Sequence, residues 1–193
     1  MTDRIAAAII AGGAARRFGG RDKSRLVIEG GPIIVRQVDL LQRVASEVVI
    51  IGSPSYRFAD LGLAVHPDVL PGLGVIGGIY TALTATSRDR VITIACDMPF
   101  LVPELLARLA VLSAGRDGAW VRTSRGPEPL VACYERHAQP RILAAIESGR
   151  LKAGDLGSVL DMAELDRDAV EVFGAADRLL ANINTPDDYA QIQ

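Results

Sequence analysis

The run Gly12-Gly13-Ala14-Ala15-Arg16-Arg17-Phe18-Gly19-Gly20-Arg21-Asp22-Lys23-Ser24-Arg25 holds five basic residues and one acidic one, in a chain whose formal net charge is -2. It directly follows the apolar stretch Ile5–Ala11. Glycines let a backbone approach a ligand and turn its N–H groups inward, and positive side chains around such a loop suit phosphate oxygens. The combination reads as a cradle for a nucleoside triphosphate, against the plainer reading of a surface loop with solvated arginines. It is not a Walker loop, which needs glycine directly before Lys-Ser/Thr; here Asp22 precedes Lys23-Ser24. Only Lys23 and Lys152 are lysines among 21 basic residues, so a lysine inside this loop stands out.

Two carboxylates are the next candidates. Asp97 closes the apolar run Val91-Ile92-Thr93-Ile94-Ala95-Cys96 and precedes Met98-Pro99. A hard oxygen at the carboxyl end of a strand, near a phosphate cradle, suits Mg²⁺, which takes one or two carboxylates plus phosphates and water. The alternative is an Asx-turn before Pro99. Asp68 stands in His66-Pro67-Asp68, where it could accept from the N1–H and 2-amino group of guanine or from ribose hydroxyls, or simply form a turn.

A second glycine segment, Gly72-Leu73-Gly74-Val75-Ile76-Gly77, spells G-x-G-x-x-G, and Asp97 lies 20 residues past Gly77. A dinucleotide fingerprint must follow its strand almost directly. Pro67 and Pro71 separate this one from any strand ending near His66. We read it as a loop packed against a ligand, with a helix starting at Gly77-Gly78. Together the segments 12–20 and 72–78 hold eight of the 19 glycines, in a chain richer in glycine than the usual share of about 7%.

The elements that position these residues alternate. Ile5–Ala11, Val48–Ile51 and Val91–Ala95 look like strands buried on both faces, as in a parallel sheet covered by helices. Further strands are expected at Ala119–Arg122 and Leu130–Tyr134. Helical spacing occupies 32–44, 77–85, 103–112 and 139–148, and Thr185-Pro186-Asp187-Asp188 is a helix start with N-cap, N1 proline and first-turn carboxylates. The alternation predicts a three-layer α/β/α, Rossmann-like, mostly parallel sheet, with ligands beyond the carboxyl ends of the strands. The length of 193 residues suits one domain, 1–193, able to bury a core without staples.

Composition narrows the classes. The small net charge argues against a general nucleic-acid binder. The longest uncharged stretch, Val69–Ser87, contains Pro71 and four glycines, which argues against a membrane span. Ile5–Ala11 fits a buried strand better than a signal-peptide core. Cys96 and Cys133 match no zinc spacing or disulfide framework and read as reduced thiols of a cytoplasmic protein. Aromatics are only 5%, so the core must be aliphatic.

Taken together, these motifs resemble the molybdenum cofactor guanylyltransferases, relatives of the nucleotide-sugar pyrophosphorylases in the nucleotidyltransferase group. The resemblance rests on Ile10-Ala11-Gly12-Gly13 with Arg17-Phe18-Gly19-Gly20-Arg21-Asp22-Lys23, on Asp68 with Pro71–Gly77, and on Cys96-Asp97-Met98-Pro99. It extends through Pro129-Leu130-Val131-Ala132-Cys133-Tyr134 to Asn182-Ile183-Asn184-Thr185-Pro186-Asp187-Asp188. It implies the nucleotidyltransferase sheet, and transfer of GMP from GTP to the terminal phosphate of molybdopterin with release of pyrophosphate. It further implies Mg²⁺ on Asp97, Lys23 and Arg17 acting on the triphosphate, and the nucleotide held by Ile10, Ala11, Gly12, Gly13, Asp68 and Gly74. Asn182 and Asn184 would lie on the molybdopterin side, and molybdoenzyme maturation proteins would be partners. Phe18, Ser24-Arg25 and Val75 depart from the family pattern, and Ile51-Gly52-Ser53 lacks the asparagine that often contacts the base. The rival readings are a nucleotidyltransferase using CTP or a sugar-phosphate acceptor, and a nucleotide-binding regulator without catalysis.

Overall fold

The computed structural model describes residues 4–12, 22–52 and 55–191, the side chains of residues 55–57 excepted. Its strands are β1 (Ile5–Ile10), β2 (Val27–Ile28), β3 (Gly31–Pro32), β4 (Glu47–Ile51), β5 (Ala64–His66), β6 (Arg90–Ala95), β7 (Gly118–Thr123), β8 (Gly126–Glu135) and β9 (Met162–Leu165). Its helices are α1 (Ile33–Gln42), α2 (Gly74–Ala85), α3 (Pro103–Leu112), α4 (Gln139–Glu147), α5 (Arg167–Glu171), α6 (Ala176–Leu179) and α7 (Pro186–Ala190). Seven strands form one sheet in the order β5-β4-β1-β6-β8-β7-β9. Only β8 runs against the others. β2 and β3 make a separate small hairpin.

Strand periodicity divides the core into two layers. Ile5, Ala7, Ile9 and Ala11 face one, with Ile34, Val38 and Leu41 of α1 and Leu105, Leu106 and Leu109 of α3. Ala6, Ala8 and Ile10 face the other, with Ile76, Ile79 and Leu83 of α2 and Ile142 of α4. The result is helix, sheet, helix. A smaller cluster of Ile28, Ile33, Phe100 and Ile183 joins the hairpin, the start of α1 and the C-terminal segment. Among the described residues, no helix is long and apolar enough to cross a membrane.

The chain leaves β1 toward β4 on one side and later places β6 on the other. The crevice between the carboxyl ends of β1 and β6 is thus the switch point at which open α/β sheets bind ligands. Gly12 and Asp97 follow those two ends.

Two expected elements differ. α2 begins at Gly74 rather than Gly77, so the second half of the G-x-G-x-x-G run is helical. The expected strand Leu130–Tyr134 is longer and antiparallel, so its first residues reach the same rim as Asp97. Opposite β7, Trp120 pairs with Ala132 but Val121 with Glu128, leaving a bulge at 129–131. Bulges beside a site re-aim side chains; here Pro129 and Leu130 are turned into a cleft described below. The Pro129 carbonyl accepts from Thr93 Oγ1 (3.1 Å) and from the buried Tyr134 hydroxyl (3.1 Å). The Pro-Leu-x-x-x-Tyr motif is thereby explained as a clamp. Tyr134→Phe leaves Thr93 as a donor, so the expected cost is one hydrogen bond, about 1 kcal/mol. For a chain of this size that lowers the melting temperature by about 2–4 °C. An unchanged thermal unfolding curve would mean the clamp carries no stability.

Candidate active site

At the rim, the sheet ladder continues one residue beyond the strands. Ala11 N donates to Ile51 O (2.8 Å), Cys96 N to Ile10 O (3.2 Å) and Gly52 N to His66 O (2.9 Å). Gly12 and Gly52 then pinch together. Gly52 has φ +81°, and a Cβ on it would lie 2.9 Å from Gly12 Cα and 3.2 Å from Asp68 Oδ2. A side chain there would be strained and would strike backbone. Glycine at 52 lets the backbones following β1 and β4 close under the Asp68 carboxylate.

Asp68 Oδ1 is out of water with no hydrogen-bond partner among the described residues, and burial pushes the carboxyl above its ordinary range. An orphaned carboxylate oxygen of this kind is costly unless a donor arrives. Ile10 and Ala11 are buried, and the Ile10 carbonyl and Ala11 N–H are committed to the ladder. Gly78 of α2 packs close on Ile10: a Cβ there would approach Ile10 Cγ2 to 2.9 Å. Gly74, with φ +61°, opens α2.

Lys23 and Asp97 meet across the crevice. Lys23 lies on a short turn, Lys23–Arg25, fixed by Asp22, whose Oδ1 accepts from Ser24 N (3.1 Å) and Ser24 Oγ (2.7 Å). That contact is the physical reason the Walker reading fails: the Ser24 hydroxyl is buried and donates to Asp22. Lys23 Nζ donates to Asn184 Oδ1 (3.2 Å) and lies 3.9 Å from Asp97 Oδ2. The side chains of Lys23 and Asp97 are only 19% and 20% exposed. Burial pushes the Asp97 carboxyl up, while the Lys23 charge pulls it back. Arg25, one of the loop's five cations, turns onto Asp60 at 2.7 and 2.5 Å. Gly13 and Arg17 lie outside the described residues.

The C-terminal segment closes this side. Ile183 N donates to Asp97 O (3.0 Å), placing Asn182 and Asn184 on either side of that tie. α7 starts with a capping box. Thr185 Oγ1 accepts from Asp188 N, and Asp188 Oδ2 accepts from the N–H groups of Asn184 and Thr185 at 2.8 Å each. Those bonds hold the Asp188 carboxyl below its usual range. Tyr189 Oη donates to Val27 O (2.8 Å), fastening α7 to the hairpin.

Two clefts flank the constellation, and Asn182 lines both. The smaller, about 310 Å³, includes Val75 of α2, Ala95 and Met98 on either side of Asp97, and the bulge residues Pro129 and Leu130. The larger, about 730 Å³, includes Asn184, Asp188, Arg125 and Arg178. The rim thus brings together Gly12, Asp68, Lys23, Asp97, Asn182 and Asn184 from segments far apart in the chain. Sequence reasoning missed Gly52 and the tie made by Asp22. A glycine directly after the second strand, and an Asp two residues before a serine, were the available signals.

A parallel-sheet switch point, a lysine and aspartate in contact and clefts on both sides define an α/β nucleotidyltransferase type of site. Comparison with known proteins agrees. The model of the MobA-like NTP transferase domain matches residues 7–166. A probable molybdenum cofactor guanylyltransferase of Chloroflexus aggregans is 34% identical, covering 96% of this chain and 91% of that protein. A molybdenum cofactor guanylyltransferase of Shewanella putrefaciens is 32% identical over 99% of this chain and 97% of that protein. The crystal structure of molybdopterin-guanine dinucleotide biosynthesis protein A from Archaeoglobus fulgidus superposes with TM-score 0.80 at 26% identity, covering 97% and 96% of the two chains. The chain belongs to the MobA-like NTP transferase family.

Proposed function

We propose that this protein transfers GMP from GTP to the terminal phosphate of molybdopterin, releasing pyrophosphate and forming molybdopterin guanine dinucleotide. The observation that carries it is the meeting of Lys23, Asp97 and Asn184 at the carboxyl ends of β1 and β6, in a chain whose full-length relatives are named guanylyltransferases. An oxygen of the acceptor phosphate attacks the α-phosphorus of GTP. The bond from that phosphorus to the bridging oxygen breaks, and its electron pair leaves with pyrophosphate. The nucleophile belongs to a substrate, so the protein supplies alignment and charge.

Each residue has a role in that scheme. Lys23 Nζ, which donates to Asn184, is assigned to the triphosphate as a compact positive charge; Arg17, outside the described residues, is assigned the same task on the family resemblance. The backbone at Ile10, Ala11 and Gly12 is assigned to the nucleotide, with Gly74 at the start of α2, and Gly13 is assigned to it on the family resemblance. Asn182 and Asn184 face the molybdopterin side, and Arg125 and Arg178 line that same larger cleft. The residues fit Mg²⁺: Asp97 offers a hard, desolvated carboxylate whose charge burial disfavours, and a cation borne mainly by phosphates needs only one or two such ligands. Bound there, Mg²⁺ would neutralise charge on the phosphate oxygens. The reaction belongs in the cytoplasm.

Asp68 is assigned to the guanine edge or the ribose hydroxyls, whose donors would pair its orphaned oxygen. Asp68→Asn loses a charged acceptor, about 1.5–3 kcal/mol. The expected result is a rise of at least tenfold in KM for GTP with kcat changed less than threefold. An unaltered KM would remove Asp68 from nucleotide recognition. The proposal as a whole is tested by pyrophosphate release from GTP with Mg²⁺ and molybdopterin. Preference for CTP would overturn the guanylyl assignment, and nucleotide binding without release would favour a regulator.

A further inference from the structure

Gln37 sits in the middle of α1, on its buried face with Ile34, Val38 and Leu41, and is 2% exposed. Its Nε2 donates to the carbonyls of Ala95 (2.7 Å) and Met98 (3.0 Å). Carbonyls only accept, so the nitrogen must be the atom that faces them. These two carbonyls bracket Cys96-Asp97, the turn that leaves β6. The turn's own closing bond is long, Met98 N to Ala95 O at 3.4 Å.

The other half of the same amide is unsatisfied: Gln37 Oε1 is buried with no hydrogen-bond partner among the described residues. On an apolar helix face an isosteric apolar residue would avoid that penalty. The two bonds to the turn are therefore what the amide contributes. α1 also anchors the other half of the site, since Ile33 N at its start donates to Leu26 O (3.0 Å), one residue past the Lys23 turn. One helix thus holds both members of the 3.9 Å Lys23–Asp97 pair.

We infer that Gln37 is a positioning residue, its amide fixing the Asp97 turn against α1 so that the carboxylate stands at the right distance from Lys23 and the nucleotide. This rests on the reading that Asp97 serves the transfer reaction. Gln37 touches main-chain carbonyls and no reacting atom, so its influence passes through Asp97.

The test uses the full chain with Gln37→Met and, as a size-conserving variant, Gln37→Glu, whose carboxylate oxygens would oppose the two carbonyls. For each, steady-state pyrophosphate release, the melting temperature and a calorimetric titration of Mn²⁺ in the presence of GTP are measured. For Gln37→Met, kcat falls at least tenfold while KM for GTP stays within threefold. The Mn²⁺ midpoint rises at least threefold, while the melting temperature falls by no more than about 2–4 °C, since the two lost bonds to Ala95 and Met98 are partly offset by removal of the orphaned acceptor. Gln37→Glu shows losses at least as large in kcat and metal midpoint. Wild-type kcat and Mn²⁺ midpoint in Gln37→Met overturn the inference, as does a loss of activity that only tracks a lowered melting temperature. Wild-type protein that binds Mn²⁺ with GTP but releases no pyrophosphate would instead sink the functional reading. The Mn²⁺ midpoint of the variants would still decide the role of Gln37.

Discussion

Asp97→Asn lowers pyrophosphate release on the order of a hundredfold or more, and the folded protein survives the change. The side chain keeps its shape, so packing around β6 and the tie from Ile183 N to the Asp97 carbonyl are untouched. What disappears is the formal negative charge that stands 3.9 Å from Lys23 Nζ. Asp97 would act on the phosphoryl oxygens only through the Mg²⁺ it holds; losing one preorganised electrostatic contact costs about 2.7–4 kcal/mol of transition-state stabilisation, and each 1.36 kcal/mol is tenfold in rate. Stability moves the other way. Burial raises the Asp97 pKa in the folded state, so the ionised carboxylate disfavours the fold at neutral pH relative to the unfolded chain. Asp97→Asn therefore melts at the same temperature or higher. The same sign governs pH: activity is lost on the acid side at a pH above the ordinary aspartate range. A divalent cation favours the ionised form, so raising Mg²⁺ moves that limb to lower pH. Steady-state rates across pH at two Mg²⁺ concentrations check both statements. An acid limb indifferent to Mg²⁺ would separate Asp97 from the metal.

Lys23→Ala is the second large effect, about a hundredfold in kcat/KM. Charged hydrogen bonds contribute about 1.5–3 kcal/mol each, and Lys23 is held where the Asp22-capped turn meets Asn184. The loss is coupled to Asp97. The Lys23 charge pulls the Asp97 carboxyl down against burial, so removing it lets that carboxyl rise further. The acid limb of the residual activity shifts to higher pH in Lys23→Ala than in the wild type. Lys23→Arg restores the charge but not the compact geometry, so it recovers the pH limb more fully than the rate. If Lys23→Ala retains near-normal kcat/KM, or its acid limb does not move, Lys23 is not the phosphate-facing cation.

Most of the sheet was legible because its buried strands are written as short aliphatic runs. Ile5–Ile10, Glu47–Ile51 and Arg90–Ala95 are the inner parallel strands, and strands covered on both faces carry few polar residues to blur them, here Glu47 and Arg90 at the strand starts and the buried Thr93. The edges were less legible. β5 is three residues, β2 and β3 two each, and β9 is Met-Ala-Glu-Leu, all too short for a period to show. The direction of β8 was hidden for another reason: hydrophobic pattern does not encode whether a strand runs with or against its neighbour. The start of α2 is misplaced because Gly72 and Gly74, the first two of the glycines at 72, 74, 77 and 78, read as loop. Two of them instead serve close packing, Gly77 against the Leu70 carbonyl and Gly78 against Ile10.

The candidate site divides the same way. Lys23 and Asp97 were legible because chemistry limits which residue types can hold phosphates and cations, and each follows a readable element. Gly52 was noted only as the residue beside a missing asparagine. Its φ of +81° and its contact with Gly12 are tertiary facts. Gln37 was counted as one position in a helical pattern, since nothing local distinguishes a buried amide that reaches β6 from a solvated one. Asp60, which takes Arg25 away from the phosphate loop, lies 35 residues on, beyond any spacing rule.

The most direct measurement of the central claim is pyrophosphate release by the purified protein with Mg²⁺ and molybdopterin, run in parallel with GTP, CTP, ATP and UTP. Pyrophosphate from GTP, in step with formation of molybdopterin guanine dinucleotide and at least tenfold faster than from the other three, is the expected result. No release from GTP above the rate without protein, or faster release from CTP, would contradict it.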